Sequence, residues 1–184
     1  MARIILDCSY APPIKEFDLE LHPCFVAHGI TWVRSFVAVD GTRSICEFKA
    51  PYAELVRDAC RQGGIPYDQV WRAEICLEQS QFLRLPGSTL VITEVVDGKP
   101  IASDEWITIQ KTAQTYFQNQ DIQSVLSLVS VGGRYAIAIF TDTNMDDVHK
   151  ACCNANIPLT RIWRSRLVVP GSHHRQSSRS KQKF

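Results

Sequence analysis

The sequence has no apolar run of the ~18 residues that a membrane-spanning helix needs. Its N-terminus, MARIILDCSY, has one Arg and a short apolar run that ends at Asp7, which does not fit a secretory signal. The expected location is therefore the cytosol. Charge of one sign is also missing. Lys and Arg number 20 against 19 Asp and Glu, a net charge of +1, so no global field draws in nucleic acid or an anionic membrane, and neither is expected as a partner. There is no CxxC pair among the seven cysteines. With their odd number this indicates neither a disulfide framework nor a structural zinc site, and in the cytosol buried free thiols are the expectation. No Gly-rich phosphate loop, nucleophile elbow or zinc-protease motif occurs.

What the sequence does contain is a repeat. Residues 29–72 fall on residues 121–164 with a constant shift of 92 and no gap. The two stretches agree at 15 of 44 positions, where chance gives roughly 3. Ser35/Ser127, Gly41/Gly133, Cys60/Cys152, Pro66/Pro158 and Trp71/Trp163 are among the identical pairs.

Each copy reads β-α-β-β-α-β. In the first, residues 3–9 form a strand and 15–28 a helix kinked or split at Pro23. Residues 31–39 and 43–49 form a hairpin across Asp40-Gly41. A helix opens at Ala50-Pro51 and ends at Gly63-Gly64, and a strand covers 65–76. In the second copy the strands are 89–95, 122–131, 135–141 and 158–169, and the helices 105–118 and 145–154, the latter capped by Asp142, Thr143 or Asn144. The expected fold is α+β: two tandem ferredoxin-like repeats, residues 1–78 and 89–169, joined by a linker at 79–88. Their bare sheet faces pack on each other as an intrachain version of the dimeric α+β barrel. Residues 170–184, polar and basic, are expected to be a disordered tail.

Strand alternation separates two faces. Placing Trp71 and Trp163 under the helices, as large core aromatics, turns Arg72, Glu74, Arg164 and Arg166 into the space between the repeats. Asp7, Glu94 and Glu47 join them there. This set has two readings: a pocket in which Arg72, Arg164, Arg166 and Glu47 bind a small anionic ligand and Glu94, Asp7 or Glu74 moves a proton, or a buried ionic network that sets the register of the repeats. Cys24 with His28, and His149 with Cys153, lie four residues apart, as two donors on one helix face would. Such pairs suit a divalent transition metal such as nickel, or else belong to ordinary helix faces. No local signature supports a catalytic Cys–His pair.

One further pattern concerns Trp32, Ser35, Asp40-Gly41, Arg43, Cys46, Phe48, Ala50-Pro51 and Gly64-Ile65-Pro66. This series resembles a family of small ferredoxin-like proteins, long catalogued as a domain of unknown function and often described as nickel-binding. The acidic residue of that family's first strand is matched by Glu94 and less closely by Asp7. The second copy is degenerate: Asp40, Cys46 and Ala50 become Gly132, Ala138 and Asp142. Where family members often carry a His in the second helix, this chain has Ala59 and Ala151. The resemblance implies a ferredoxin-like fold and a small-molecule- or metal-binding protein acting as a carrier or sensor. A cofactor-independent enzyme of the cyclase, decarboxylase or isomerase type, working in the inter-repeat cavity, is the alternative, and a structural or partner-binding module the third. A homodimer is compatible with all three.

Overall fold

The structure is a computed structural model that describes residues 1–17, 21–83, 87–96, 99–141 and 144–171. Among the described residues there are eight strands: β1 (Ala2–Ser9), β2 (Thr31–Ala38), β3 (Arg43–Ala50), β4 (Gln69–Glu78), β5 (Thr89–Val95), β6 (Ser124–Ser130), β7 (Ala136–Thr141) and β8 (Arg161–Val168). The helices are α1 (Pro23–Ala27), α2 (Ala53–Gly63), α3 (Ser103–Gln118) and α4 (Met145–Asn154). The strands close into one barrel in the order β1-β3-β2-β8-β5-β7-β6-β4, every neighbour antiparallel. The two halves therefore meet edge to edge at β2–β8 and β4–β6, and closure leaves no free sheet edge.

Pairings inside the two halves correspond. Ile5 faces Glu47 as Ile92 faces Ile139, and Arg34 faces Glu47 as Leu126 faces Ile139. A bulge falls between Trp32 and Arg34, and another between Ser124 and Leu126. The hairpin tips also match: Gly41 (φ +73°) accepts a backbone hydrogen bond from Ile14 (2.9 Å), and Gly133 (φ +68°) one from Ile101 (2.8 Å). Each tip thus clamps the segment that leaves the first strand of its half.

Three cores result. Ile5, Phe36, Ile45, Trp71, Leu90, Ile92, Leu126, Leu128, Ile137, Ile139 and Leu167 fill the barrel. On its outside, one cluster lies under α1 and α2, and the other under α3 and α4.

Several local expectations need adjustment. Pro23 does not kink a longer helix; it starts α1, where its missing N–H costs nothing. Ala50 closes β3, and α2 begins three residues later after Tyr52; Gly64 (φ +63°) ends it as expected. Asn144 caps α4 by accepting from the Asp146 N–H (3.1 Å); Asp142 and Thr143 lie outside the described residues. The expected linker is partly built in: β4 runs to Glu78, and a 3-10 turn at Ser80–Leu83 places Leu83 in the barrel core. The expected tail lies, from residue 172 on, outside the described residues. Among the described residues, no helix is long and apolar enough to cross a membrane.

Candidate functional site

The face assignment is inverted relative to the sequence expectation. Trp71 lies in the barrel core, stacked on Tyr135 with ring centroids 6.1 Å apart. Trp163 packs against the same core, with the Arg43 guanidinium 5.5 Å over its ring. Arg72, Glu74, Arg164 and Arg166 are consequently exposed on the outside, and Glu74 accepts a hydrogen bond from the Ser103 hydroxyl. Aromatic size did not discriminate, because the barrel interior is as buried as the layer under the helices.

The charges that do enter the barrel sit at its two ends. At one end Glu47, 0% exposed, meets Arg3 (Nε–Oε1 3.0 Å) and Arg34 (Nε–Oε2 2.8 Å). Both arginines also reach Glu78, at 3.1 and 2.7 Å. Burial pushes the Glu78 carboxyl up, but the arginines outweigh it and hold the group below its usual range. The corresponding positions of the second half are Leu90, Leu126 and Ile139. The quartet is thus an ionic patch on one side of an apolar interior.

The other end brings Asp7 and Glu94 together, because β1 and β5 run in the same direction around the barrel. They are 6% and 3% exposed. Arg43 bridges them (3.4 Å to Asp7, 3.5 Å to Glu94), and Arg161 reaches Glu94 at 3.4 Å and Asp7 at 3.9 Å. Trp163 Nε1 donates to Glu94 at 2.5 Å. Burial, and then the charge of Glu94, raise Asp7 from 3.8 to about 6, against the pull of Arg43. Between those two values the folded chain keeps a proton that the unfolded chain releases, so stability falls as pH rises through that interval and then levels off. The full span is worth at most about 3 kcal/mol. Asp7→Asn is expected to abolish the decline and to leave the variant more stable than the parent at neutral pH, as measured by urea midpoints between about pH 4 and 8.

An apolar cleft lies elsewhere, on the outer sheet face of the first half. It measures about 290 Å³ and opens between β1–β3 and the segments Tyr10–Phe17 and Leu21–Phe25. Its floor is Leu6, Cys8, Ser35, Cys46 and Phe48; Tyr10, Ile14, Phe17, Leu21, Phe25 and Ile65 form the walls, and the exposed Glu16 and His22 join the lining. A polar seam crosses this floor. Tyr10 Oη and Ser44 Oγ lie 2.7 Å apart, Ser44 Oγ and Cys46 Sγ 3.8 Å, and Ser35 Oγ accepts from the Trp32 indole N–H at 2.9 Å. None of these groups is charged near neutrality. Burial pushes Cys46 up to about 11 despite hydrogen bonds from Ser35 and Ser44. Burial, and then the neighbouring thiol Cys46, raise Cys8; burial, and then Cys8, raise Tyr10. In the second half Ser127, the repeat partner of Ser35, accepts the same indole bond at 2.9 Å, but from Trp106 on α3, which is 1% exposed. The serine is shared by both halves, whereas the cleft belongs to the first. The one sequence signal for it was that Ser35/Ser127 put an identical polar residue inside an apolar strand.

The metal candidates remain pairs. Cys24 and His28 are half-buried on α1 and its end, and His28 Nε2 lies 3.1 Å from Gln62 Oε1. His149 and Cys153 are exposed on α4, with the sulfur 3.9 Å from the ring nitrogens. Among the described residues, no three His, Cys, Asp or Glu side chains converge on a point that could hold an ion. Ala59 and Ala151, at the place of the family's helix histidine, are fully buried.

Comparison with known proteins gives two results. Residues 20–72 match the family described as nickel responsive protein SCO4226-like. That segment carries α1, β2, β3, α2 and the start of β4, and so part of the cleft; β1 and the Tyr10–Phe17 stretch lie outside it. A solved structure from Fusobacterium nucleatum, described as a "putative monooxygenase", aligns over 92% of this chain and 93% of its own at 12% identity, with a TM-score of 0.40. No curated protein matches the chain.

Proposed function

We propose that the protein is a small-molecule-binding protein whose ligand occupies the cleft of the first half. The carrying observation is the cleft itself: about 290 Å³, walled mainly by aliphatic and aromatic side chains, with a few hydroxyl and thiol groups on its floor and the exposed Glu16 and His22 beside them. Ligand sites of small proteins have this make-up. Because Cys8, Cys46 and Tyr10 stay protonated, the part of the ligand that reaches the floor is uncharged and largely apolar, with a hydroxyl or carbonyl for the seam; Glu16 and His22 are exposed and leave a polar end of the ligand in water. The match over residues 20–72 supports a binding role for the same elements. The acid–base alternative has less support, since the space between the halves is filled by the barrel core. Asp7 and Glu94 would then serve as part of the barrel's closure.

In this reading the chain is two ferredoxin-like units, residues 1–78 and 89–169, in tandem. The matched registers, bulges and glycine tips support it. The first unit keeps the binding cleft, and the second has turned the equivalent serine into a packing contact for Trp106.

The test is a titration of the full chain with the neutral fluorophore Nile red, reading both dye emission and the quenching of tryptophan fluorescence. Saturable binding should weaken by about tenfold in Leu21→Trp, which fills the cleft wall. A flat titration, or one that Leu21→Trp does not alter, would sink the proposal. Nickel is the second reading, favoured by the family named above. It predicts one tightly held Ni²⁺ per chain on equilibrium dialysis, lost in His149→Ala/Cys153→Ala or in Cys24→Ser/His28→Ala.

A further inference from the structure

A larger groove lies on the second half, away from the cleft. It runs between α3 and the β4–β6 seam and measures about 550 Å³. Both seam strands are irregular here. The β4–β6 register slips between Ile75 and Leu77, and the β6–β7 register between Ser124 and Leu126. These slips pull the strands away from a regular ladder beneath α3.

The lining has an unusual composition. Gln110, Gln114 and Gln118 recur every fourth residue along α3 and so share one helix face. Gln79 and Gln123 close the floor across the seam, with their amides 3.1 Å apart. The Gln110 amide nitrogen and the Ser124 hydroxyl are both shielded, and neither has a hydrogen-bond partner among the described residues. Buried polar groups without partners are rare and costly, so their place in a groove marks where a ligand atom completes them. Lys111 and Asp121 are the charged residues of the lining, one of each sign. A strongly anionic or cationic ligand therefore gains little. Leu77 and Ile107 add apolar surface beside the amides.

We infer that this groove binds a neutral polyhydroxylated molecule of mono- or disaccharide size. Each carboxamide offers a donor and an acceptor side by side, which matches vicinal hydroxyls. The apolar side chains suit the C–H face of a sugar ring. The size lies within the range of small-ligand sites.

Saturation-transfer NMR on the full chain with maltose, cellobiose and myo-inositol tests this directly. Transfer to ring C–H protons is expected for at least one of them. Its affinity should fall about tenfold or more in Gln110→Leu/Gln114→Leu and, with less steric change, in Ser124→Ala. Thermal melting and Nile red binding at the distant cleft serve as folding controls for these variants. The inference is overturned if none of the three shows transfer at about 10 mM, if the variants bind as well as the parent, or if triglycine amide binds in their place.

Discussion

Glu47→Ala is expected to destabilise the protein by about 3–5 kcal/mol, the cost of leaving buried charge without its partner. Glu47 is 0% exposed and holds the Nε groups of Arg3 and Arg34 at 3.0 and 2.8 Å. Its removal leaves two guanidinium groups at one barrel end with Glu78 alone, and a gap the size of the lost side chain. Urea unfolding at neutral pH measures the loss. The informative companion is the triple variant Arg3→Leu/Arg34→Leu/Glu47→Ile. It installs the residue types found at the matching positions Leu90, Leu126 and Ile139 of the second half, all in contact within the barrel core. Removing the buried members of an ionic set together is often neutral or stabilising, and Glu78, which stays behind, keeps 21% of its side chain in reach of water. The triple variant should therefore recover most or all of the loss. If Glu47→Ala costs less than about 1 kcal/mol, the quartet is solvated and the ionic account of this end is wrong.

Gly133→Ala is expected to cost about 2–4 kcal/mol, from a left-handed backbone that Ala resists and from a steric conflict with fixed main chain. Gly133 has φ +68°. A Cβ added there would stand 2.7 Å from Ile101 N and 2.9 Å from Ile101 C, and nearer still to the Ile101 carbonyl oxygen. Backbone cannot step aside as a flexible side chain can. The contact also forces apart the Ile101 N–H to Gly133 carbonyl bond (2.8 Å), which seats the segment entering α3. Gly41→Ala should behave alike, since the added Cβ meets the Ile14 carbonyl oxygen. Gly132→Ala is the control: nothing lies within 4 Å of its added Cβ, and the change should stay within about 1 kcal/mol. Thermal melts of the three variants side by side settle the matter. Equal shifts for Gly132→Ala and Gly133→Ala would contradict the clamp.

Much of this architecture was legible in the chain itself. Period-two alternation placed the eight strands within a few residues of where they lie. Asp40-Gly41 and Gly132-Gly133 marked hairpins, and Gly64 marked the end of α2, because those positions need a backbone that glycine adopts cheaply. These are local properties, set by φ/ψ preferences and by neighbours a few residues away. Tertiary structure alone decided which strand face became the barrel interior. Alternation separates Trp71 from Arg72 but assigns neither to a side, and in a closed barrel with helices outside both sides offer burial. From that one choice follow the outward turn of Arg72, Arg164 and Arg166 and the pairing of Glu47 with Arg3 and Arg34. The meeting of Asp7 with Glu94 depends on a further global property, the common direction of β1 and β5. The cleft and the groove were illegible for a related reason. Each is a space left between elements, fixed by the shortness of α1 on one half and by slipped strand registers under α3 on the other, and no single stretch of residues encodes it.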